Sequence, residues 1–406
     1  MVFEGDSMIN VKRTNRSAIL HLLHQHGSLS RKRLAADMKL TPAAITKLVS
    51  ELIAEELLIE GNTVPSGSAG RREIMVQLNP RARCAIGILI NLKQAILSAV
   101  WLDGTLIFSE ELTLEPHAST ENTVKALSDR ILELSEENHI PRKRILGLGI
   151  AIRGVTSSDG RRIQNSFGAL DKENYALCDS FEEFLGMPVV MSNNVRALLL
   201  AQMFFSKDTD LTSQFFLRCE YGIGAALSIN GKVWHGSTEQ CAEIGHIPVV
   251  KRGGKPCSCG KCGCLETIAS PTAIIESARA ILSPEKTPVL WKMCQENPVE
   301  NVTLDNVLDS ARYGDESTAA IVEKAIEALA NALKAVIYIM DPGKIVLYGR
   351  AFENSYYLSK LTAEMKEGVD ASHNVIIEKS QYNGILENNA AGLLVVADYF
   401  NKGGVL

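Results

Sequence analysis

The sequence of 406 residues lacks the features that would place it in a membrane or outside the cell. It contains no uninterrupted apolar run of the roughly 18 residues that a membrane-spanning helix needs. Its start, MVFEGDSMIN, has neither the basic stretch nor the apolar stretch of a secretory signal peptide. Solenoid-type repeats and low-complexity tracts are also absent. These absences predict a cytoplasmic protein with no membrane partner.

Disulfides are not expected either, because the use of cysteine fits a reducing compartment. The chain has nine cysteines, an odd number. Five are scattered: Cys84, Cys178, Cys219, Cys241 and Cys294. The other four lie within the segment from Cys257 to Cys264, and such a cluster in the cytosol indicates metal binding. With 46% hydrophobic residues, a chain of this length can bury the cores of two or three domains.

Positive charge is concentrated near the amino terminus, although the net charge of the chain is −5. Between Ile9 and Val49 there are eight lysines or arginines and one acid, Asp37, which gives this segment +7 and leaves −12 for the rest. A basic amino-terminal module on an acidic body is the asymmetry expected of a DNA-binding head. A solvated basic helix face is the alternative explanation of the charge alone.

Apolar residues in this segment recur at helical spacing in three runs, which predict three helices. The runs contain Ile19, Leu22 and Leu23; Leu34, Ala35 and Met38; and Ile45, Leu48, Val49 and Leu52. Gly27 is placed to end the first helix, Ser30 to cap the second, and the pair Thr41-Pro42 to begin the third. The short joint Lys39-Leu40 is typical of a helix-turn-helix, whose third helix would enter the major groove of DNA.

The next segment, LLIEGNTVPSGSAGRREIMVQLNP, predicts a β-hairpin wing, because two apolar stretches flank a tip of Gly, Pro and Ser. Two arginines after the tip could reach phosphates or a narrow minor groove. We therefore expect residues 1–80 to form a winged helix-turn-helix domain that binds double-stranded operator DNA. The expected DNA contacts lie on the second and third helices and in the wing: Arg31, Lys32, Thr41, Ala43, Ala44, Thr46, Lys47, Arg71 and Arg72.

From Arg81 the pattern changes to short β-rich runs such as CAIGILIN and AILSAVWL, with Asp103-Gly104 as a hairpin turn. A helical stretch, ENTVKALSDRILELSEEN, and an apolar strand, ILGLGIAI, follow it. Strands and helices then alternate to the end of the chain. This alternation indicates an α/β body.

The body contains two short motifs, EIGH from Glu243 to His246 and CSCGKCGCLE from Cys257 to Glu266. Together with the winged helix they resemble the ROK family of repressors, open reading frames and sugar kinases, and in particular its transcriptional-repressor branch. The resemblance covers nearly the whole chain. It implies an actin-like body of two α/β lobes with a sugar in the cleft between them. We place the smaller lobe at 81–190 with a carboxyl-terminal helix at 388–406, and the larger lobe at 191–387.

The resemblance also implies a zinc loop. Structural zinc prefers four nitrogen or sulfur ligands in a tetrahedron, and one imidazole with three thiolates meets that need. The family's zinc positions correspond here to His246, Cys257, Cys259 and Cys264. Cys262 is then a spare thiol or a competitor for Cys264. We expect Zn²⁺ as a structural cofactor.

A sugar site follows from the same resemblance. The family's sugar-contacting positions correspond to five residues, all expected in the larger lobe: Asn193, Asn194, Glu243, His246 and Glu266. Carboxylates accept strong, charge-assisted hydrogen bonds from vicinal hydroxyls. Arg153 replaces the family's usual proline before Gly154, so this sugar-side loop departs from the family pattern. Asn165 and Ser166 are candidates to line it.

Four departures from the family's kinases predict that phosphoryl transfer is lost. The glycine-rich turn that would meet ATP phosphates is replaced by ILINLKQ around Asn91, and the aspartate that acts as general base is replaced by Asn194. An amide cannot accept that proton at neutral pH, but it can hydrogen-bond a hydroxyl. Glu220 stands at the position of the phosphate-binding strand of the family's kinases, where its negative charge would repel a phosphate. The family's nucleotide-binding turn near the carboxyl end usually has three glycines, and only Gly349 is present here.

A body that binds a sugar but does not phosphorylate it predicts a sugar-responsive transcriptional regulator and not an enzyme. The simplest such regulator is a repressor of carbohydrate-utilisation genes. A divergent sugar kinase is the alternative, and a scaffold that no longer binds sugar is a third possibility. A head that reads a short half-site predicts a homodimer or homotetramer on palindromic DNA. The sequence leaves open which sugar is bound and whether it releases or promotes DNA binding.

Overall fold

Two units make up the chain: residues 1–209 with 384–406, and residues 210–383. The computed structural model describes residues 8–65, 72–115, 118–206, 213–294, 299–370 and 373–405. Within these ranges, no helix has both the length and the apolar composition that a bilayer span requires.

The first unit begins with three helices and a β-hairpin in the places that the sequence predicts, and a short strand that it does not predict completes a three-stranded sheet. They are α1 (Met8–His26), β1 (Ser28–Ser30), α2 (Arg31–Met38), α3 (Pro42–Ala54), β2 (Leu58–Pro65) and β3 (Arg72–Leu78). Gly27 ends α1 in the left-handed region at φ 77°. The Ser30 hydroxyl accepts a hydrogen bond from the backbone of Arg33 and so caps α2. Strand β3 lies in the middle of the sheet, which has the order β1-β3-β2.

The rest of the first unit is built on a five-stranded sheet. Its elements before residue 209 are β4 (Cys84–Ile90), β5 (Gln94–Trp101), β6 (Leu106–Thr113), α4 (Thr120–Glu137), β7 (Ile145–Ile152), β8 (Val155–Thr156), β9 (Ile163–Asn165), α5 (Leu177–Leu185), β10 (Val189–Asn193) and α6 (Asn194–Ser206). The sheet order is β10-β7-β4-β5-β6. Every residue of the central strand β4 is buried, as expected of a strand covered on both faces.

The second unit has its own five-stranded sheet. Its elements are β11 (Ser213–Cys219), β12 (Ile223–Ile229), β13 (Lys232–Trp234), α7 (Glu266–Ala269), α8 (Pro271–Arg279), α9 (Pro288–Met293), α10 (Leu304–Arg312), α11 (Glu316–Met340), β14 (Lys344–Tyr348), α12 (Ser355–Lys366) and β15 (Ile376–Lys379). The order is β13-β12-β11-β14-β15. The chain ends with α13 (Ile385–Asn401), which belongs to the first unit.

The two sheets have the same topology. In each, the first three strands form an antiparallel meander, and two further strands add in parallel beside the first strand. Strands β4 and β11 are therefore equivalent, and so are β7 and β14. The predicted α/β body of two lobes is confirmed as a repeated unit.

The predicted lobe boundary at 190/191 is wrong. It falls inside β10, which pairs in parallel with β7 from Val189 to Asn193 and so belongs to the first sheet. Helix α6 follows β10 directly and packs in the same unit. Asn193 and Asn194 consequently lie in the first unit and not in the second. The predicted return of the carboxyl-terminal helix to the first lobe agrees with the structure, although this helix spans 385–401 and not 388–406.

Helix α13 lies close to the first sheet because glycines face it. A Cβ atom on Gly149 of β7 would lie 1.8 Å from the carbonyl oxygen of Ala391, and one on Gly87 of β4 would lie 2.5 Å from the backbone nitrogen of Gly392. Backbone atoms cannot move aside as a side-chain end can. The two strands therefore require glycine where α13 crosses them.

Replacement of Gly149 by alanine is expected to destabilise the first unit by about 1–3 kcal/mol or more, because the added methyl must push α13 off the sheet. The measurement is thermal unfolding of the full chain. Gly61→Ala is the control, since its Cβ would come no closer than 3.5 Å to a neighbouring atom, the Gln77 side-chain oxygen, which is ordinary van der Waals contact. Equal melting temperatures for Gly149→Ala and wild type would contradict this description of the packing.

Candidate functional site

The cysteine-rich loop of the second unit brings four metal-binding side chains together. The donor atoms of His246, Cys257, Cys259 and Cys264 all lie within 4.8 Å of one another. The Cys257 sulfur is 3.5 Å from His246 Nδ1, and the Cys259 sulfur is 3.6 Å from that of Cys264. A tetrahedral zinc with bonds of about 2.3 Å to sulfur and about 2.0 Å to nitrogen would space its ligands by about 3.5–3.8 Å. The four residues therefore fit such an ion.

Backbone pairing explains how His246 comes close to the cysteines. Leu265 donates a backbone hydrogen bond of 2.9 Å to Ile247, and Val249 donates one of 2.9 Å to Gly263. These bonds place the chain just after His246 beside the end of the loop. Gly263 has φ 76°, and a Cβ there would lie 2.3 Å from the Val250 carbonyl. The glycine is thus required both by its backbone conformation and by the close pairing.

Cys262 is exposed and does not belong to the metal-binding group found among the described residues. This leaves it as a spare thiol, the first of the two roles that the sequence allowed. Cys264, in contrast, is buried, and burial raises the pKa of its thiol to about 12. A metal ion bound there at neutral pH would have to displace the proton.

Two carboxylates stand next to the metal-binding group. His246 Nε2, on the other side of the ring from Cys257, lies 4.0 Å from Glu243 Oε2. Glu266 Oε2 accepts a 3.1 Å hydrogen bond from the backbone of Ile223 at the start of β12. A Cβ on Gly245 would lie 2.1 Å from the Ile223 carbonyl, so the EIGH segment is packed against the same residue. Three of the five predicted sugar contacts are therefore held around the start of β12.

The other two predicted sugar contacts begin helix α6 in the first unit. Asn193 Oδ1 accepts a 2.9 Å hydrogen bond from the backbone of Val195, and Asn193 Nδ2 donates one of 2.8 Å to the Gly154 carbonyl. Asn193 thus caps α6 and ties it to the Gly154 loop. Asn194 is 4% exposed, and its Oδ1 accepts from the backbone of Val195. The described residues provide no acceptor for Asn194 Nδ2, which leaves that amide able to donate to a ligand.

The loop at Gly154, which departs from the family pattern, is built on a close backbone contact. Gly154 has φ 129°, and a Cβ there would lie 2.0 Å from the Asn165 carbonyl. Asn165 Oδ1 accepts a 2.7 Å hydrogen bond from the backbone of Phe167. Ser166 is buried and accepts a 2.9 Å hydrogen bond from the backbone of Leu170. Both side chains therefore shape the loop, and a role in lining a ligand site stays a prediction.

Glu220 makes a contact that the sequence does not reveal. Its Oε1 accepts a 2.8 Å hydrogen bond from the backbone nitrogen of Arg350, at the end of β14. Gly349 precedes it with φ 127°, and a Cβ there would lie 2.1 Å from the Cys219 carbonyl. The Arg350 guanidinium forms an ion pair of 3.3 Å with Asp305. A carboxylate of the chain itself thus occupies a backbone donor at this turn.

The predicted recognition helix α3 presents a face of small and polar residues. Ala43, Thr46 and Lys47 are exposed and Ala44 is half-buried. The hydroxyl of exposed Thr41 accepts from the backbone of Ala44 at 3.3 Å, which caps the helix. Thr46 donates to the Pro42 carbonyl at 2.8 Å and so keeps its hydroxyl against the helix.

The basic residues around α3 are partly engaged within the amino-terminal segment. Arg31 forms an ion pair of 2.8 Å with Glu60, and Lys32 one of 3.4 Å with Glu73. Arg72 is exposed at the start of β3. Arg71, the other predicted wing contact, lies outside the described residues. The exposed ion pairs are individually weak, so they leave these cations able to change partner.

The comparison with known families decides the class of the α/β body. The model of the ROK family matches residues 90–391, about three quarters of the chain. The chain belongs to the ROK family. This result confirms the resemblance that the EIGH and CSCGKCGCLE motifs carry.

Curated relatives of the chain include both regulators and kinases. The DNA-binding transcriptional dual regulator NagC of Escherichia coli K12 is 26% identical over 343 residues, which cover 84% of this chain and 82% of NagC. The transcriptional repressor Mlc of the same organism is 24% identical, covering 98% and 96%. A glucokinase of Halalkalibacterium halodurans is 28% identical, covering 57% of this chain and 68% of the kinase.

A solved ROK family transcriptional regulator, described as a homologue of E. coli Mlc, has the same fold. The two structures superpose with a TM-score of 0.78 at 22% identity, covering 97% of this chain and 98% of that one.

Proposed function

We propose that this protein is a sugar-responsive transcriptional regulator whose kinase-like body binds a sugar without phosphorylating it. The observation that carries the proposal is the capped helix α3, which exposes small and polar residues on a basic segment within the same unit as one lobe of a ROK body. Small residues allow a helix to approach base edges, and Lys47 adds a cation for phosphate or base oxygens. Similarity to NagC and Mlc supports the same conclusion.

The amino-terminal helices and the hairpin act as a winged helix-turn-helix. Helix α3 enters the major groove, with Thr41, Ala43, Ala44, Thr46 and Lys47 facing the bases. Cations on α2 and on the wing neutralise phosphates: Arg31, Lys32, Arg71 and Arg72. The protein binds as a dimer or tetramer, because two heads read a palindromic site that one head cannot specify.

The metal is zinc, and its role is structural. Three thiolates and an imidazole, with donor atoms all within 4.8 Å of one another, match the preference of this ion, and four protein ligands leave no open position for catalysis. When bound, zinc would fix the ring of His246 through Nδ1. Glu243, 4.0 Å from Nε2, is placed to orient that ring.

The sugar is held by Glu243, His246 and Glu266, which lie together in the second unit around the start of β12. Asn193 and Asn194, at the start of α6 in the first unit, stay predicted sugar contacts. Two features argue against phosphorylation of the bound sugar. Asn194 has no lone pair basic enough to take a proton from a hydroxyl. At the end of β14, the Glu220 carboxylate already accepts from the Arg350 amide, so a phosphate would meet a like charge there.

Removing the two wing arginines tests DNA binding. Arg71→Ala/Arg72→Ala is expected to weaken binding to a duplex selected from a random pool by the wild-type protein. The slope of log affinity against log salt should fall by about two, because about one counterion is released per phosphate contact. The measurement is a salt titration of affinity by fluorescence anisotropy.

The control is Lys125→Ala/Lys143→Ala, which removes the same charge from exposed positions elsewhere in the first unit. This variant should keep the wild-type slope. A wild-type slope in the arginine variant would remove the wing from the DNA interface.

Protein purified without added metal is expected to contain about one zinc per chain by elemental analysis. The reason is that the four ligand atoms already lie within 4.8 Å of one another. Cys257→Ser should lower this content strongly, because serine is a poor zinc ligand. Cys262→Ser, which changes an exposed thiol outside the group, is the matched control and should keep it. Full zinc content in Cys257→Ser would disprove the ligand set.

A thermal-shift screen tests the sugar site. The panel contains N-acetylglucosamine, D-xylose and D-glucose, because relatives are named for these sugars. It also contains N-acetylglucosamine 6-phosphate and glucose 6-phosphate. A sugar that binds the native state raises the melting temperature. Glu243→Ala should lose this shift, whereas Glu276→Ala, an exposed glutamate on α8, should keep it.

Two outcomes would overturn this part of the proposal. A normal shift in Glu243→Ala would remove this carboxylate from the sugar site. Conversion of a panel sugar to its phosphate by wild-type protein with Mg-ATP, at about 1 s⁻¹ or faster, would establish the kinase alternative.

A further inference from the structure

Helix α6 connects two places that matter for the proposed function. It starts at Asn194, directly after the cap residue Asn193, and runs for 13 residues to Ser206. A helix of this length is about 20 Å long. Its first turns are buried against the rest of the first unit, so it is expected to move as a rigid rod. A displacement at its start is therefore transmitted to its far end.

The far end of α6 contacts the amino-terminal helices. His24 Nε2 of α1 lies 2.9 Å from the carbonyl oxygen of Phe204 and donates to it, since a carbonyl can only accept. The ring of His24 also lies over the ring of Phe204, with centroids 3.8 Å apart and planes tilted by 33°. The two ends of α6 thus contact a predicted sugar residue and the predicted DNA-binding head.

A second attachment joins the head to the end of α13, and it is stronger. Arg16 of α1 is 5% exposed and donates through Nε to the Gly403 carbonyl at 2.7 Å, while its two terminal nitrogens bond both carboxylate oxygens of Glu55. Gly403 and Gly404 have φ 71° and 77°, and Cβ atoms there would lie 2.7 Å from Arg13 O and from a Leu57 methyl. This turn is tightly enclosed by the head.

The two attachments differ in how readily they break. Hydrogen bonds to or between charged groups are roughly twice as strong as neutral ones, and Arg16 makes three bonds in a buried place. His24 is half-buried; it donates a hydrogen bond to the Phe204 carbonyl, and its ring contacts those of Phe204 and Phe400. If α6 is displaced, we expect the contact of His24 with Phe204 to break before the bonds of Arg16 do.

We propose that α6 relays the state of the sugar site to the DNA-binding head through the contact of His24 with Phe204, with Arg16 and Gly403 as the pivot. The inference rests on the proposed function. A sugar hydroxyl that bonds Asn193 or Asn194 competes with the backbone amides that these side chains now cap. It therefore acts on the first turn of α6. Coupling of this kind needs an element with two arrangements. The contact of His24 with Phe204 supplies them, because it can be made or broken.

The test measures how far a sugar changes DNA affinity in full-length variants. The DNA is the duplex selected by wild-type protein, and the sugar is the member of the panel with the largest thermal shift. Coupling between two sites is typically about 5- to 150-fold. His24→Leu removes the hydrogen bond, and Phe204→Leu removes the ring while it keeps the carbonyl. Both should reduce the coupling towards 1, with sugar-free DNA affinity and the thermal shift retained.

His26→Leu is the matched control, because His26 is exposed on the same helix two residues further along. It should keep the wild-type coupling. Wild-type coupling in both His24→Leu and Phe204→Leu would overturn the relay, and so would a loss of sugar-free DNA binding in both, since the contact would then only support the head. If wild-type protein selects no duplex, or no panel sugar changes its affinity, the proposed function fails, and this inference with it.

Discussion

The hydrogen bond from Arg16 to the carbonyl of Gly403, 387 positions later, joins the two ends of the chain within the first unit. A buried guanidinium is costly unless its charge is paired and its donors are satisfied. Hydrogen bonding to Glu55 meets this need and raises the pKa of Arg16 further above its usual value. The amino-terminal helices are thereby fixed to α13, and α13 in turn is fixed to the first sheet by the close contact with Gly149. This chain of contacts attaches the amino-terminal helices to the first sheet.

The body retains the repeated fold of a ROK protein, but two of its side chains suit binding better than catalysis. Asn194 supplies an amide at the start of α6, which can orient a hydroxyl and cannot deprotonate it. Glu220 places a carboxylate on the Arg350 amide, at the carboxyl ends of the adjacent parallel strands β11 and β14. This is the edge at which ligands of α/β sheets usually bind. A negative charge at that edge would repel a nucleotide phosphate.

Features that depend on neighbouring residues could be predicted from the sequence, and features that depend on distant partners could not. The caps at Ser30 and Thr41 are local, and so is the spacing of Cys257, Cys259 and Cys264 that brings their sulfurs together. The boundary at 190/191 was wrong because the sequence around β10 does not indicate which strand it pairs with. Its parallel pairing with β7, about 40 positions earlier, places it in the first sheet. The contacts of Glu220 with Arg350 and of His24 with Phe204 join residues 130 and 180 positions apart, and no local pattern indicates them.

The central claim is that one ligand-binding body and one DNA-binding head are thermodynamically linked. The most direct measurement is a pair of titrations on wild-type protein: DNA affinity with and without saturating sugar, and sugar affinity with and without saturating DNA. Linkage requires the two ratios to be equal, and we expect a factor of about 5 to 150 for both. Ratios of 1 in both titrations would contradict the account, because sugar and DNA would then bind to the protein independently.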